Sequence, residues 1–198
     1  MLIVAKFSNI MYKKLMHKKQ KTNINIHITR LTRTIYFFIV IFAISIIIFD
    51  SGNLITKESV IQRWSILTVL TFFNTLAWYM GAHYPKRSRS FSTFVLSLVL
   101  VLFTGFLTYW ERGMASTSTI LYAIPMLVVA TLKNRHALIA IATTSSAVYS
   151  MAAVKYFNDY FNEGYRIQLW GNIILYSGTF FVCAWLIMIL AGLREDSK

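Results

Sequence analysis

The chain has 198 residues, of which 57% are hydrophobic and only 14% are charged, and its formal net charge is +13. About a quarter of the residues of a soluble domain are charged, so this composition excludes an ordinary soluble fold. Six apolar stretches fill most of the chain. Since a membrane-spanning helix needs about 20 apolar residues, we expect an all-α integral membrane bundle of six transmembrane helices.

The charged residues alternate along the chain in a way that predicts the topology. Numbered from the N-terminus, the first, third, fifth and seventh polar segments hold fifteen Lys/Arg and two acidic residues, whereas the other three hold five of each. Basic loops stay on the cytoplasmic side during insertion, so we expect cytoplasmic N- and C-termini in a multi-pass protein of the bacterial cytoplasmic (inner) membrane. We attribute the excess positive charge to insertion and to an anionic inner leaflet, not to nucleic acid.

Residues 1–30 form a basic cytoplasmic N-terminal segment that can be interpreted in two ways. An interfacial helix would place a row of lysines against lipid headgroups. These lysines are Lys13, Lys14, Lys18, Lys19 and Lys21. The alternative is a disordered basic tail that only enforces the orientation of the protein in the membrane.

The six-helix transmembrane domain spans residues 31–194. Its helices are predicted at about 32–50, 61–83, 91–110, 117–132, 136–156 and 167–193. In the fourth helix, Pro125 removes a backbone hydrogen bond and predicts a kink. The kink either shapes the bundle or serves as a hinge or pocket wall.

Small side chains recur on the last two predicted helices at spacings that favour close packing. They are Ala142, Ser146 and Ser150 on the fifth helix and Ser177, Ala184 and Ala191 on the sixth. Such stripes let two backbones approach closely, so we expect these helices to pack against each other or across a homodimer. Asn172, near the start of the sixth helix, is expected to form an interhelical hydrogen bond.

The sequence contains no constellation of residues that indicates catalysis. Enzymes and pumps that act inside a membrane keep ionisable side chains there, but no Asp, Glu, Lys or Arg lies in the middle third of a predicted helix. Metal-ligand pairs, nucleophile motifs and phosphate-binding loops are also missing from the sequence. We therefore predict no enzyme activity, no metal site and no cofactor, and we interpret the lone Cys183 as a packing residue.

A succession of motifs occupies the chain from Tyr109 to Arg194. They are Tyr109-Trp110-Glu111, Leu121-Tyr122-Ala123-Ile124-Pro125, the basic turn Lys133-Asn134-Arg135, an Ala/Ser-rich helix from Ala140 to Ser150, and Trp170-Gly171-Asn172. In this order they resemble the polytopic sensor regions that precede bacterial histidine kinases and diguanylate cyclases. In that family the last helix continues into an output domain, whereas this sequence stops at Lys198, and its basic turn lacks the family's glycine. The resemblance implies an input module that works with a separate kinase or cyclase, and no catalytic residue is carried over.

These observations predict a sensory or regulatory input module for signal transduction that lacks its own output domain. The expected input region is formed by the outer halves of the fourth and sixth helices. Its candidate ligand-binding residues are Glu111, Tyr122, Trp170 and Asn172. The alternative is a small transporter for a neutral solute, or the substrate-binding membrane subunit of one that acts with an ATPase. An enzyme acting on lipid has the least support.

Overall fold

The computed structural model describes residues 29–52, 55–84, 86–160 and 166–192, and within these ranges the chain is all-α without strands. The α-helices are α1 (Thr29–Ser51), α2 (Lys57–His83), α3 (Lys86–Trp110), α4 (Ala123–Ala130), α5 (Arg135–Tyr160) and α6 (Arg166–Leu190). Two short 3-10 helices, Gly113–Ala115 and Thr117–Tyr122, lie between α3 and α4. The predicted all-α class is confirmed.

Among the described residues, four helical segments are long and apolar enough to cross a membrane. They are Thr29–Ser51, Ser88–Trp110, Arg135–Tyr160 and Arg166–Leu190, and the apolar segment Thr117–Ala130 is shorter. These helices fit a membrane protein, while the number of spans and the side of the termini stay predictions. The lysines expected to bind lipid headgroups fall in residues 1–28, outside the described residues.

Helix α3 lies at the centre of the bundle. Its apolar span is 61% buried, whereas those of α1 and α6 are 22% and 17% buried. Leu100 and Phe103 on one side of α3 pack with α1 and α2, and Val101 packs with α4, α5 and α6. Four hydroxyl groups stay buried in α3 because each donates to a carbonyl one turn back in the same helix. They belong to Thr93, Ser97, Thr104 and Thr108.

Side-chain hydrogen bonds and aromatic contacts join α1 to its neighbours. Asn74 of α2 is fully buried, and its Nδ2 donates to the Thr32 carbonyl of α1 at 3.1 Å. The hydroxyl groups of Tyr36 and Thr75 also form a hydrogen bond between these helices. Because few partners compete for polar groups inside an apolar bundle, these bonds fix the rotation of α1 against α2.

The segment predicted as one helix over 117–132 contains two kinds of helix. A 3-10 helix covers Thr117–Tyr122, and α4 begins only at Ala123. Pro125 has no N–H to donate to the Leu121 carbonyl, and its ring crowds that carbonyl, so an α-helix cannot continue through this turn unstrained. As the third residue of α4, Pro125 stands in the first turn, where an N–H has no partner inside the helix. The change of helix type is observed; the kink itself stays a prediction.

Several helix ends differ from the predicted bounds because local caps set them. Helix α2 begins at Lys57, since the Thr56 side chain accepts a hydrogen bond from the Ser59 N–H. Helix α6 ends at Leu190, and Gly192 follows with φ +65°, a left-handed conformation common just past a helix end. Ala191 therefore lies beyond the helix and is exposed, so it does not extend the expected packing stripe.

Candidate ligand site between α4, α5 and α6

An aromatic cluster joins the 3-10 helix Thr117–Tyr122 to α5 and α6. The ring centroid of Phe180 lies 4.8 Å from that of Tyr122 and 5.9 Å from that of Tyr149. Tyr149 also packs against Tyr176 at 5.1 Å. Tyr122 and Tyr149 are both 0% exposed. The cluster is therefore the tightly packed centre at which these three elements meet.

Hydroxyl groups at this centre are buried without satisfactory partners. Within the described part of the chain, Tyr149 Oη and Ser145 Oγ have no hydrogen-bond partner. The Tyr122 hydroxyl lies near that of Thr108, but the two do not reach hydrogen-bonding geometry. An unsatisfied buried hydroxyl costs about 1–3 kcal/mol, so this packing is less favourable than one in which these hydroxyls had partners.

A pocket of about 230 Å³ lies beside the cluster, between α6 and the segment formed by Thr117–Tyr122 and α4. Its walls are Thr119, Ile120, Ala123, Met126, Tyr176, Thr179, Phe180 and Cys183. Two of these residues, Tyr176 and Phe180, also belong to the aromatic cluster. A molecule in the pocket would therefore press directly on the rings that hold α6 against α5.

The pocket is suited to a small neutral molecule. None of the described residues that line it is charged. Thr119 and Thr179 donate their hydroxyl hydrogens to the carbonyls of Ser116 and Leu175, so their oxygens remain available as acceptors. The pocket is smaller than the range of about 300–1,000 Å³ typical of drug-sized ligands, which limits the size of the molecule it accepts.

The structure brings only one of the four predicted ligand-binding residues to this centre. Tyr122 is at the cluster, whereas Trp170 is 55% exposed at the start of α6. Asn172 is half-buried near the start of α6, and its interhelical hydrogen bond stays a prediction. Glu111 lies in the loop after α3. Sequence reasoning missed Tyr149, Tyr176 and Phe180, although a tyrosine in the middle of an apolar stretch is itself a signal.

Glu111 has a structural role in the loop that closes one end of the bundle. Its Oε2 accepts hydrogen bonds from the hydroxyl groups of Ser116 at 3.3 Å and Thr117 at 3.4 Å. Gly113 follows with φ +58°, and an added Cβ there would lie 2.7 Å from the Tyr156 side chain. The loop thus packs on α5 and leads directly into the 3-10 helix that carries Tyr122.

The small residues on α5 and α6 lie mostly where the packing hypothesis expects them. Helix α5 packs extensively against α6, and Ala142 and Ala184 are buried in their shared core. Ser146 Oγ donates to Ser177 Oγ at 2.7 Å across this contact. Ser150 instead donates to the Ser146 carbonyl within α5. The structure therefore favours packing within one chain, and a homodimer stays a prediction.

Replacing Ser146 and Ser177 by alanine, singly and together, should reveal a coupling of about 0.6 kcal/mol, the typical value for interhelical hydrogen bonds in membranes. The measurement is a double-mutant cycle on the free energy of unfolding in mixed micelles. Ser146→Ala combined with Thr179→Val is the control, because Thr179 bonds only within α6. Equal coupling in both cycles would contradict a specific Ser146–Ser177 bond.

Other classes of site find little support in the described ranges. No group of three or more His, Cys, Asp or Glu side chains there is arranged to hold a metal ion. Comparison with known proteins assigns no activity to the pocket: no protein-family model, no curated protein and no solved structure matches the chain.

Proposed function

We propose that the chain is a multi-pass protein of the bacterial cytoplasmic membrane, in which α2 and the segment Thr117–Ala130 complete six spans. At about 2 Å per 3-10 residue and about 1.5 Å per α residue, that segment covers about 24 Å of a bilayer core about 30 Å thick. Large apolar side chains such as Ile48 and Ile174 are exposed on α1 and α6, as expected beside lipid. Lys133 and Arg135 between α4 and α5 support a cytoplasmic position for that turn.

Single cysteines test this topology in a Cys183→Ala background. We expect Ser51→Cys and Thr117→Cys to react with a membrane-impermeant maleimide added to intact cells, and Ser88→Cys to react only after lysis. Both Ser51 and Thr117 are exposed, so their reactivity reports the side of the membrane rather than burial. Reaction of Ser88→Cys in intact cells, or protection of both other positions, would contradict the proposed orientation.

We further propose that the protein is a sensory or regulatory input module. The observation that carries this proposal is the aromatic cluster with its unsatisfied hydroxyls beside a neutral pocket. A sensor needs two packings that differ in ligand affinity. The unsatisfied hydroxyls of Tyr149 and Ser145 raise the energy of the present packing, and Tyr176 and Phe180 link pocket occupancy to the position of α6. A small neutral ligand would then shift α6 relative to α5.

The receiving partner is proposed by resemblance alone. Sensor regions of the kind that precede histidine kinases and diguanylate cyclases pass their state to the cytoplasm through the last helix. Helix α6 would have this role here, with a kinase or cyclase as the partner. A kinase or cyclase gene beside this one would support the assignment.

Distances between α4 and α6 test the sensor proposal without knowledge of the ligand. Leu127 and Leu186 are exposed on the two helices and can carry spin labels. We expect two populations of the distance between these two labels in lipid nanodiscs. Tyr149→Phe removes an unsatisfied hydroxyl and so favours the packing described above, which should deplete the population of the other packing. Tyr36→Phe, on the α1–α2 side, is the control and should leave both populations unchanged. A single population that Tyr149→Phe does not alter would contradict the proposal.

A transport subunit for a neutral solute is the second candidate. The uncharged lining of the α4–α6 pocket favours it, because a neutral solute requires no buried counter-charge. This candidate predicts copurification with an ATPase and ATP-dependent flux of a solute in proteoliposomes. Copurification with a kinase or cyclase, in the absence of flux, would favour the sensor instead.

A further inference from the structure

A second and larger groove lies on the opposite side of α5 from α6. It has a volume of about 550 Å³ and runs between α2, α3 and α5. Its walls are apolar along most of its length, and Ile66, Leu102, Phe106 and Met151 contribute to them. This volume falls within the range of about 300–1,000 Å³ typical of ligand sites.

Small residues on α3 and α5 form part of the groove wall. Gly105 and Ala152 line it, and neither extends a side chain far into it. Helices α3 and α5 also approach closely there, since a Cβ on Gly105 would lie 2.3 Å from Val148 Cγ1. At Gly105 and Ala152 the wall of the groove therefore lies close to the helix backbones, while larger apolar side chains form the rest of the wall.

The polar groups of the groove include Lys155, Tyr109 and Trp110, which lie at the end of the bundle where α3 and α5 terminate. Lys155 Nζ lies 3.2 Å from Asp159 Oδ2 and 5.5 Å from the centre of the Tyr109 ring. The Asp159 carboxylate also accepts a hydrogen bond from Tyr109 Oη at 2.7 Å. An ammonium group has three donors, and Asp159 uses one of those of Lys155, whose side chain is 66% exposed.

Gln62 and Ser65 of α2 also line the groove, and Ser65 donates to the Ile61 carbonyl, but among the described lining residues only Lys155 is charged. This charge at one end of an apolar groove points to an amphiphile. An acyl chain fits the apolar length of the groove and gains from the burial of apolar surface. A phosphate at the Lys155 end can accept hydrogen bonds from the donors of the ammonium group that Asp159 does not use. Tyr109 and Trp110 end α3 at the same end of the groove, and aromatic rings are common at the level of lipid headgroups. A fully apolar occupant would use none of the donors of Lys155 that remain beside its bond to Asp159.

We propose that the groove between α2, α3 and α5 binds one anionic phospholipid, with an acyl chain against Gly105 and Ala152 and its phosphate at Lys155. This proposal rests on the membrane embedding but not on the sensory function, because it uses none of the α4–α6 pocket. The bound lipid would hold α2 against α5, which otherwise meet chiefly through α3.

The test uses the full chain in detergent micelles doped with phosphatidylglycerol or phosphatidylcholine, and native mass spectrometry measures the fraction of protein that carries one lipid. We expect phosphatidylglycerol to bind about fivefold more tightly, as one lysine near an anionic headgroup suggests. Lys155→Gln should abolish this preference, and Ala152→Phe should abolish binding of both lipids. Glycerophosphoglycerol, which has the headgroup without acyl chains, should not bind.

Matched variants separate the groove from the rest of the surface. Ile174→Phe adds bulk to the exposed face of α6, and Arg135→Gln removes an exposed charge at the other end of α5, so both should bind lipid like the unmodified chain. Unchanged lipid binding by an Ala152→Phe variant with normal thermal stability would overturn the site. Equal binding of the two lipids by the unmodified chain, or binding of glycerophosphoglycerol alone, would overturn the proposed occupant. These lipid-binding measurements do not depend on the spin-label distances between α4 and α6, so failure of the sensor proposal would leave them valid.

Discussion

Replacing Gly105 by alanine is expected to lower the free energy of unfolding by about 1–3 kcal/mol, the usual cost of overpacking a tight core. The new Cβ would lie 2.3 Å from Val148 Cγ1 and 3.5 Å from Tyr122 Oη. Valine is branched at Cβ and has few alternative rotamers, so α3 and α5 must separate to admit the methyl group. Unfolding in mixed micelles titrated with a denaturing detergent measures the effect.

Gly178→Ala is the matched control for this prediction. Gly178 is also helical, but no described atom lies within 4 Å of its added Cβ. Since alanine is a better helix former than glycine, we expect this substitution to be neutral or to stabilise the protein by up to about 1 kcal/mol. The double substitution Gly105→Ala with Val148→Ala should recover part of the lost stability. Equal effects of Gly105→Ala and Gly178→Ala would show that α3 and α5 are not in close contact.

Tyr149→Ala is expected to cost about 3–5 kcal/mol of unfolding free energy, as for other large buried aromatic residues. Its ring packs against those of Tyr122, Tyr176 and Phe180. Neighbouring side chains could fill little of the cavity that removal of the ring would leave. Tyr149→Phe should instead raise the stability by about 1 kcal/mol or more, because it keeps the ring and removes an unsatisfied hydroxyl. In the same unfolding assay, Tyr149→Ala should therefore lower the free energy of unfolding and Tyr149→Phe should raise it.

Tyr36→Phe provides the comparison for the hydroxyl effect. The Tyr36 hydroxyl forms a hydrogen bond with Thr75, so its removal should cost up to about 1 kcal/mol. If Tyr149→Phe destabilises the protein as Tyr36→Phe does, the Tyr149 hydroxyl has a partner in the membrane and the cluster stores no free energy. That result would also remove the main support for the two-state sensor proposal.

The apolar stretches predicted where the helices lie but not how they contact one another. The predicted and observed ranges of α3 and α5 agree within a few residues, because apolar length marks a membrane-crossing helix directly. The central position of α3 has no comparable signal, since lipid and protein interior are both apolar and a buried helix resembles a lipid-facing one in sequence. The Ser/Thr hydroxyls of α3, which are satisfied within the helix, carry no signal of the neighbouring helices either.

The candidate site was predicted only in part for a related physical reason. Tyr122, Glu111 and Trp170 were all chosen for their depth at the outer halves of the predicted fourth and sixth helices, and only Tyr122 lies in the aromatic cluster. The depth of a residue in the membrane follows from its position along the helix. The rotation of the helix about its own axis depends instead on packing partners that the sequence does not identify. Tyr149 and Phe180 were therefore not predicted as site residues, although their positions on α5 and α6 place them within one layer of the bundle.

The hydroxyls of Thr93, Ser97, Thr104 and Thr108 have a mechanical consequence for α3. Each is satisfied by its own helix, so none of them ties α3 to a neighbour. The bond from Tyr109 to Asp159 instead anchors one end of the helix to α5. Shape complementarity, rather than hydrogen bonding by these four hydroxyls, therefore holds this part of α3 against its neighbours, so a change of side-chain volume there should matter more than the loss of a hydroxyl.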